Sequence, residues 1–134
     1  MDNQSGPYDS RYLAGIEQFN RCEFFEAHEV WEELWADTQG PSRTFYQGLI
    51  QVAVCLYHFG NGNIRGARKL YHSSCRYLQD YLPVHEGLDL EKLVSELTRC
   101  CHRFLESNEE FPQVDIVVEE IPEIHLQGNP DPGG

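Results

Sequence analysis

The sequence predicts an all-α fold, a single-domain antiparallel helical bundle of about five helices followed by an extended acidic C-terminal tail. Apolar residues recur at helical spacing through most of the first 108 residues. Gly, Asn and Pro cluster between these periodic segments, and such short connections favour antiparallel neighbours. A chain of 134 residues also suits one domain, because it buries roughly two-thirds of the surface of its unfolded chain.

Five segments carry the helical pattern, each between recognisable start and stop signals. The first follows Asp9 and Ser10, two residue types that cap helix N-termini well. Gly40 and Pro41 stop the second helix. The third is apolar around nearly its whole circumference, so we expect it to be the most buried. The predicted helices cover about 9–21, 25–37, 42–59, 64–82 and 89–107.

The chain divides into a helical bundle domain, residues 1–108, and an acidic extended or disordered tail, residues 109–134. The tail contains seven acids and no Lys or Arg, and its four prolines exclude a long helix. Alternation at Val114, Ile116 and Val118 predicts a short extended segment. We therefore expect a strap that lies on the bundle and then a disordered end, with acids that are either simply solvated or dock a partner.

Charge and cysteine usage limit the partners and the location. The net charge is -12 at pH 7. Proteins that bind nucleic acid or anionic membrane surfaces need clustered Lys and Arg side chains. We therefore expect neither a nucleic-acid partner nor a membrane partner. The richest apolar stretch, Leu49 to Phe59, is far shorter than the roughly 20 residues that span a bilayer. Five cysteines and no legible secretory signal favour a cytoplasmic protein with reduced thiols. A second copy of the chain, a protein partner and an unidentified small molecule all stay open as partners.

A histidine and a carboxylate four residues apart on the second predicted helix form the best candidate site. Residues at this spacing share one face of a helix, so His28 and Glu32 point together. Imidazole nitrogen and carboxylate oxygen ligate zinc, iron and manganese, and the same pair also suits proton transfer. Glu29, beside His28, is a candidate extra ligand. The zinc-protease pattern His-Glu-x-x-His is not met, because Glu32 stands where its second histidine would be.

The third predicted helix carries a polar stripe that includes Gln47, Gln51 and His58. Folding the two helices antiparallel about the turn between them would set His28 opposite Gln51 and Glu32 opposite Gln47. In that register His58 would lie about 10 Å along the axis from the level of His28. We therefore expect His58 to be too far away to share a metal ion with His28.

The same polar groups also have a purely structural interpretation. Buried His, Glu and Gln side chains that bond to one another would hold the two helices in register. Convergence of four such groups in an aromatic-rich core strengthens the case for a site, because expensive buried polarity is often retained for one, and both interpretations stay open. Two Cys–His pairs have the spacing of half a zinc site: Cys55 with His58, and His72 with Cys75. We expect the two pairs to lie about 10 Å apart, which is too far for them to bind one ion together.

Several segments within about residues 12–82 match a known pattern: Phe25-Glu26-Ala-His28-Glu29-Val-Trp-Glu32-Glu33-Leu-Trp35, Phe45-Tyr-Gln47-Gly48-Leu-Ile50-Gln51-Val-Ala53, Tyr57-His58 and Gly62-Asn63. The chain thereby resembles the prokaryotic family catalogued as domain of unknown function 309, which is defined by a His-x-x-x-Glu-x-x-Trp/Tyr motif. The resemblance implies an all-helical fold and a proposed metal-binding role for His28, Glu32 and Trp35. It implies no reaction and no substrate.

Two functions follow as expectations. The first is a divalent transition-metal site, for zinc, iron or manganese, with His28 and Glu32 as ligands, which would support metal-assisted hydrolysis through an open coordination position. The alternative is a non-enzymatic interaction or scaffold module in which the cluster is a structural polar network. The side chains expected to line the site or orient its ligands are Glu29, Trp35, Gln47, Gln51 and His58.

Overall fold

The computed structural model describes residues 7–110 and 112–127 and is mostly helical. All five predicted helices are present, so the all-α prediction is confirmed. None of the helices in the described ranges is long and apolar enough to cross a membrane. The helices are α1 (Ser10–Asn20), α2 (Phe24–Asp37), α3 (Arg43–Gly60), α4 (Ile64–Leu78) and α5 (Leu90–Leu105).

Short polar side chains begin three of the helices. The Asp9 carboxylate accepts a hydrogen bond of 2.8 Å from the backbone N–H of Arg11 at the start of α1. Asn63 caps α4 in the same way, through the N–H of Gly66 at 3.0 Å. Asp89 does so for α5, also at 3.0 Å. These caps satisfy N–H groups that have no partner within the helix, and they fix where each helix begins.

The central element is α3, which packs against α2 on one side and α4 on the other, while α1 packs on α2. As predicted, α3 has the largest set of buried side chains of the five helices. The burial of apolar surface along this helix is the main source of stability for the bundle. Its buried residues are Phe45, Tyr46, Gly48, Leu49, Ile50, Val52, Ala53, Cys55, Leu56 and Phe59.

The α4–α5 connection contains a small hairpin that the sequence did not predict. Helix α4 ends at Leu78, before the predicted residue 82, and a short 3₁₀ turn follows. The antiparallel strands β1 (Val84–His85) and β2 (Leu88–Asp89) then pair. Strands of two residues are too short to show the alternation from which a strand is predicted.

The tip of this hairpin is anchored to the helices through Glu86. Its backbone is left-handed, with φ at 48°. Its carboxylate accepts hydrogen bonds from the hydroxyls of Ser42 at 2.7 Å and Tyr46 at 2.8 Å, and its carbonyl accepts one from Tyr12 at 2.9 Å. Burial, together with the Glu86 carboxylate, raises the pKa of Tyr46, so this phenol stays a donor. The three bonds hold a conformation that a residue with a side chain rarely adopts.

The C-terminal segment, residues 112–127, has little regular secondary structure and packs on the bundle. The side chain of Asn20 holds the backbone of Ile124 through two hydrogen bonds of 2.8 Å. The side chain of Ile124 is buried, and Leu126 forms an isolated bridge with Leu88. The predicted disordered end from residue 128 lies outside the described residues. The division at residue 108 stays a prediction.

Candidate functional site

The three motif residues of α2 follow one another along one side of the helix. His28, Glu32 and Trp35 are spaced by four and three residues, which places them on one face. The Nε2 atom of His28 lies 3.6 Å from the Oε2 atom of Glu32. The His28 side chain is 17% exposed and that of Glu32 is 56% exposed, so the pair sits at the rim of the α2–α3 interface and not inside the core.

A hydrogen bond fixes the protonation pattern of the His28 ring. Its Nδ1 atom lies 2.8 Å from the carbonyl oxygen of Phe25, one turn earlier in α2. A carbonyl oxygen only accepts, so Nδ1 carries the proton and Nε2 keeps its lone pair in the neutral ring. Metal-ligating histidines show the same arrangement, with one nitrogen bonded to a carbonyl and the other turned to the ion.

The His28–Glu32 pair fits one corner of a transition-metal site. Bonds of about 2.0–2.2 Å from a zinc ion to nitrogen and oxygen leave neighbouring ligand atoms roughly 3–4 Å apart, and the observed separation of 3.6 Å falls within that range. Among the described residues, no three His, Cys, Asp or Glu side chains converge closely enough to hold an ion. Glu29 is exposed on α2. Further ligands would therefore be water or oxygen atoms of other side chains.

One polar atom of α2 and one of α3 are buried without a hydrogen-bond partner within the described part of the chain. They are Oε1 of Gln51, an acceptor, and Nε1 of Trp35, a donor. The guanidinium of Arg43 lies 4.0 Å from the centroid of a Trp35 ring and is stacked over it. A buried polar group left unbonded costs about 1–3 kcal/mol, and each such group calls for an explanation such as a water or an ion. An amide oxygen such as that of Gln51 can ligate a metal ion or accept a hydrogen bond from a water molecule.

Aromatic rings pack across the interface between α2 and α3. The predicted register places Phe25 opposite Val54, and both side chains line one cavity between the two helices. The ring of Phe25 also packs against that of Tyr57, with a centroid distance of 5.5 Å and the ring planes inclined at 46°. The connection between the two helices runs from residue 38 to residue 42.

His58 borders the same cavity as His28. The cavity lies between α2 and α3, has a volume of about 180 Å³ and is lined, within the described residues, by Phe25, His28, Val54, Tyr57 and His58. The predicted separation of about 10 Å between the levels of His28 and His58 stays a prediction, as does the predicted pairing of His28 with Gln51.

The ring of His58 has the opposite protonation pattern to that of His28. Its Nδ1 atom lies 3.2 Å from Nδ2 of Asn63, and the amide oxygen of Asn63 already accepts from Gly66. The amide nitrogen therefore donates to Nδ1, which leaves the proton of the neutral ring on Nε2. Burial lowers the pKa of His58, which favours the neutral form.

Sequence reasoning missed Phe25 and Tyr57 as residues of the site. Both rings are exposed although they are large and apolar, at 45% and 39% of their surface. Large apolar side chains at the surface often mark a binding site when they lie together. Helical spacing alone does not show which of the many aromatic residues of α2 and α3 stay uncovered, because that depends on the register between the helices.

The cysteines contribute no metal site in the described residues. All five are free thiols, and three of them are buried. The thiol of Cys55 donates to the carbonyl of Ala67 at 3.3 Å, so it acts as a small core residue with a weak hydrogen bond. The predicted absence of a disulfide framework agrees with these free thiols.

Comparisons with known proteins give a family but no activity. The model of the family described as "Domain of unknown function (DUF309)" matches residues 12–70. The chain is also 30% identical, over 117 residues, to a Bacillus subtilis (strain 168) protein called "Uncharacterized protein YpuF". That match covers 84% of this chain and 67% of the relative. The matched residues include α2 and α3 and therefore both sides of the candidate site.

Proposed function

We propose that this chain, which belongs to the family of domains of unknown function DUF309, binds a divalent transition metal beside α2. The observation that carries the proposal is the free lone pair of His28 Nε2, 3.6 Å from the Glu32 carboxylate. An imidazole nitrogen and a carboxylate oxygen at this separation suit zinc, iron or manganese.

Each residue of the site has a defined part in this proposal. His28 and Glu32 are the ligands, and the carbonyl of Phe25 orients the imidazole through its Nδ1 proton. Gln51 offers a buried amide oxygen that has no other hydrogen-bond partner in the described residues. Water, Glu29 and Gln47 are candidates for the remaining interactions. With only two charged or imidazole ligands from the protein, coordination positions stay accessible to a ligand.

A metal ion bound here would act as a Lewis acid and lower the pKa of a coordinated water, which is the chemistry of metal-assisted hydrolysis. Within this chain, His28 would direct the lone pair of Nε2 toward the ion, while Glu32 would supply a carboxylate oxygen. The aromatic side chains beside the pair would exclude bulk water from one side. The family resemblance identifies no substrate. Hydrolysis is therefore a second step of the proposal, beyond metal binding itself.

Isothermal titration of tag-free protein with zinc and manganese tests the proposal. We expect one ion per chain for the wild type, and binding at least about tenfold weaker for His28→Ala, since removing even an orienting partner costs about 10–100-fold. His72→Ala is the matched control, because His72 is an exposed helix residue away from the cavity and should bind normally. Substoichiometric binding by the wild type, or equal binding by His28→Ala, would exclude the proposed site.

The second candidate function is a scaffold or interaction module with a structural polar network. One observation favours it, namely that no third His, Cys, Asp or Glu joins the pair in the described residues. In that case His28→Gln should fold, lose about 1–3 kcal/mol of stability and show no metal-dependent shift in melting temperature. A shift in wild-type melting temperature that His28→Gln abolishes would favour the metal site.

Location and partners complete the proposal. The five free thiols support a cytoplasmic protein, because oxidising compartments favour disulfides. The charge of -12 at pH 7 argues against a nucleic-acid partner. A second copy of the chain and a small molecule remain candidate partners. The cavity beside His28 is a candidate binding site for the small molecule.

A further inference from the structure

Four rings and one aliphatic side chain line the cavity between α2 and α3. The rings of Phe25 and His28 have centroids 5.0 Å apart, and those of Tyr57 and His58 are 6.0 Å apart. The contact between Phe25 and Tyr57 joins the two pairs across the helices. Among the described residues that line this cavity, none has a carboxylate, Lys or Arg side chain.

The surface around this ring-lined cavity is acidic. Phe25, Glu29 and Glu32 follow at intervals of four and three residues, so one exposed stripe of α2 carries a cavity ring and two carboxylates. Glu26 and Glu33 are exposed on the same helix. The chain as a whole has a net charge of -12 at pH 7. These exposed carboxylates and the net charge of the chain both favour a cationic ligand over an anionic one.

We propose that this cavity binds the head group of a small organic ammonium ion, held against the rings of Phe25 and Tyr57. Aromatic faces attract cations through their quadrupole, and cages of such rings recognise alkylated ammonium groups. The volume of about 180 Å³ exceeds the about 150 Å³ of a protein cavity that holds benzene, so a trimethylammonium group fits. A neutral apolar ligand would gain nothing from the acidic stripe.

The exposure of the two rings supports this assignment. Phe25 and Tyr57 lose contact with water when the cavity is filled, and apolar surface removed from water stabilises the complex. The neutral ring of His58 adds no opposing charge. The rings would thus replace part of the water around the ammonium ion. The exposed carboxylates of α2 would balance its positive charge.

A matched pair of ligands isolates the contribution of the charge. Choline and 3,3-dimethylbutan-1-ol have nearly the same shape, but the alcohol has a carbon atom in place of the ammonium nitrogen. We expect choline to bind about tenfold more tightly than the alcohol in NMR titrations of the full chain, and to shift signals of α2 and α3. EDTA is present throughout, so the inference does not rest on the proposed metal function and can fail or succeed separately.

Ring and charge variants locate the binding. Phe25→Leu and Tyr57→Leu keep apolar side chains at exposed positions, and each should weaken choline binding roughly fivefold. Tyr77→Leu, which removes a ring outside the cavity, should bind as the wild type does. Glu29→Gln should weaken the binding of choline but not that of the alcohol. Circular dichroism checks that each variant folds.

Each contrary result overturns the proposal. Equal affinity for choline and the alcohol would show that the positive charge is not recognised. Choline binding that survives both ring variants would place the site elsewhere. No binding of either ligand to the folded wild type would show that the cavity does not take this head group.

Discussion

At the scale of single residues, hydrogen bonds decide which nitrogen of each cavity histidine is available. The bond from His28 Nδ1 to the Phe25 carbonyl leaves Nε2 free as a ligand atom. The bond that Asn63 donates to His58 Nδ1 occupies that lone pair and leaves the proton on Nε2. His28 is therefore ready to ligate a cation, whereas His58 would first have to release Asn63. This difference explains why we assign only His28 as a metal ligand.

The lowered pKa of His58 makes part of the stability depend on pH. Between the ordinary histidine pKa of about 6.5 and the lower value in the folded chain, the unfolded chain binds more protons. Acidification through this window therefore favours unfolding, and protonation of Nδ1 also breaks the bond from Asn63. We expect the free energy of unfolding in urea to fall as the pH is lowered below about 7, and to fall less in His58→Gln.

The exposed His72 provides the control for this pH effect. His72→Gln should lose stability on acidification as the wild type does. If His58→Gln and the wild type lose the same stability over the same pH range, the shifted pKa of His58 is not a source of the pH dependence.

The sequence predicted the His28–Glu32 pair because both residues belong to one helix. Their spacing alone fixes their relation, whatever packs against them. The positions of Tyr57 and His58 relative to His28 depend instead on how far α3 slides along α2. That displacement is set by the connection and by the packing of rings, neither of which has a periodic signature. Residues across an interface are therefore predicted less well than residues within one element.

At the scale of elements, the contact between α1 and α2 depends on a glycine. Gly15 has no side chain where the buried ring of Trp31 crosses α1, and an added Cβ would lie 2.0 Å from Nε1 of that ring. The indole N–H also donates to the carbonyl of Tyr12 at 3.2 Å. Trp31 is fully buried, so it has no room to move aside. This close approach sets the orientation of the motif helix within the bundle.

Gly15→Ala should therefore destabilise the protein by at least about 2 kcal/mol, because overpacking a rigid core contact forces ring or helix to shift. Gly60→Ala is the matched control, since no atom lies within 4 Å of its added Cβ at the exposed end of α3. That control should be neutral or stabilise by up to about 1 kcal/mol. Urea unfolding measures both, and equal effects of the two substitutions would contradict the assigned packing.

The helices were predictable because apolar periodicity marks all five of them, and capping residues or Gly and Pro stops mark several of their ends. The hairpin of β1 and β2 was not, since its stability comes from contacts distant in sequence, such as those of Glu86 with Ser42 and Tyr46. His85 and Glu86 lie in a segment without a helical or strand pattern in the sequence. Their hydrogen bonds with Ser42 hold them against the start of α3.

At the scale of the whole molecule, the C-terminal segment packs on the bundle as an additional layer. Ile124 is 3% exposed, whereas Val118, six residues earlier in the same segment, is 69% exposed. The segment thus alternates between residues that contact the core and residues that face water. The acids of the segment lie mainly among the exposed positions, which agrees with simple solvation.

Ile124→Ala should cost about 2–4 kcal/mol of stability, because it removes buried apolar atoms and leaves a cavity under the segment. Val118→Ala is the control from the same segment and should change stability by less than about 0.5 kcal/mol. Thermal unfolding of the full chain compares the two. If Ile124→Ala were as stable as Val118→Ala, the segment would not contribute to the folded core.

The family match covers the part of the molecule where His28 and Glu32 lie beside the ring-lined cavity. Anomalous diffraction from crystals soaked with zinc or manganese, recorded at the absorption edge of the metal, tests the proposed site most directly. The account predicts a peak within bonding distance of both His28 Nε2 and a Glu32 carboxylate oxygen. A peak only at other residues, or none at all at this pair, would contradict it.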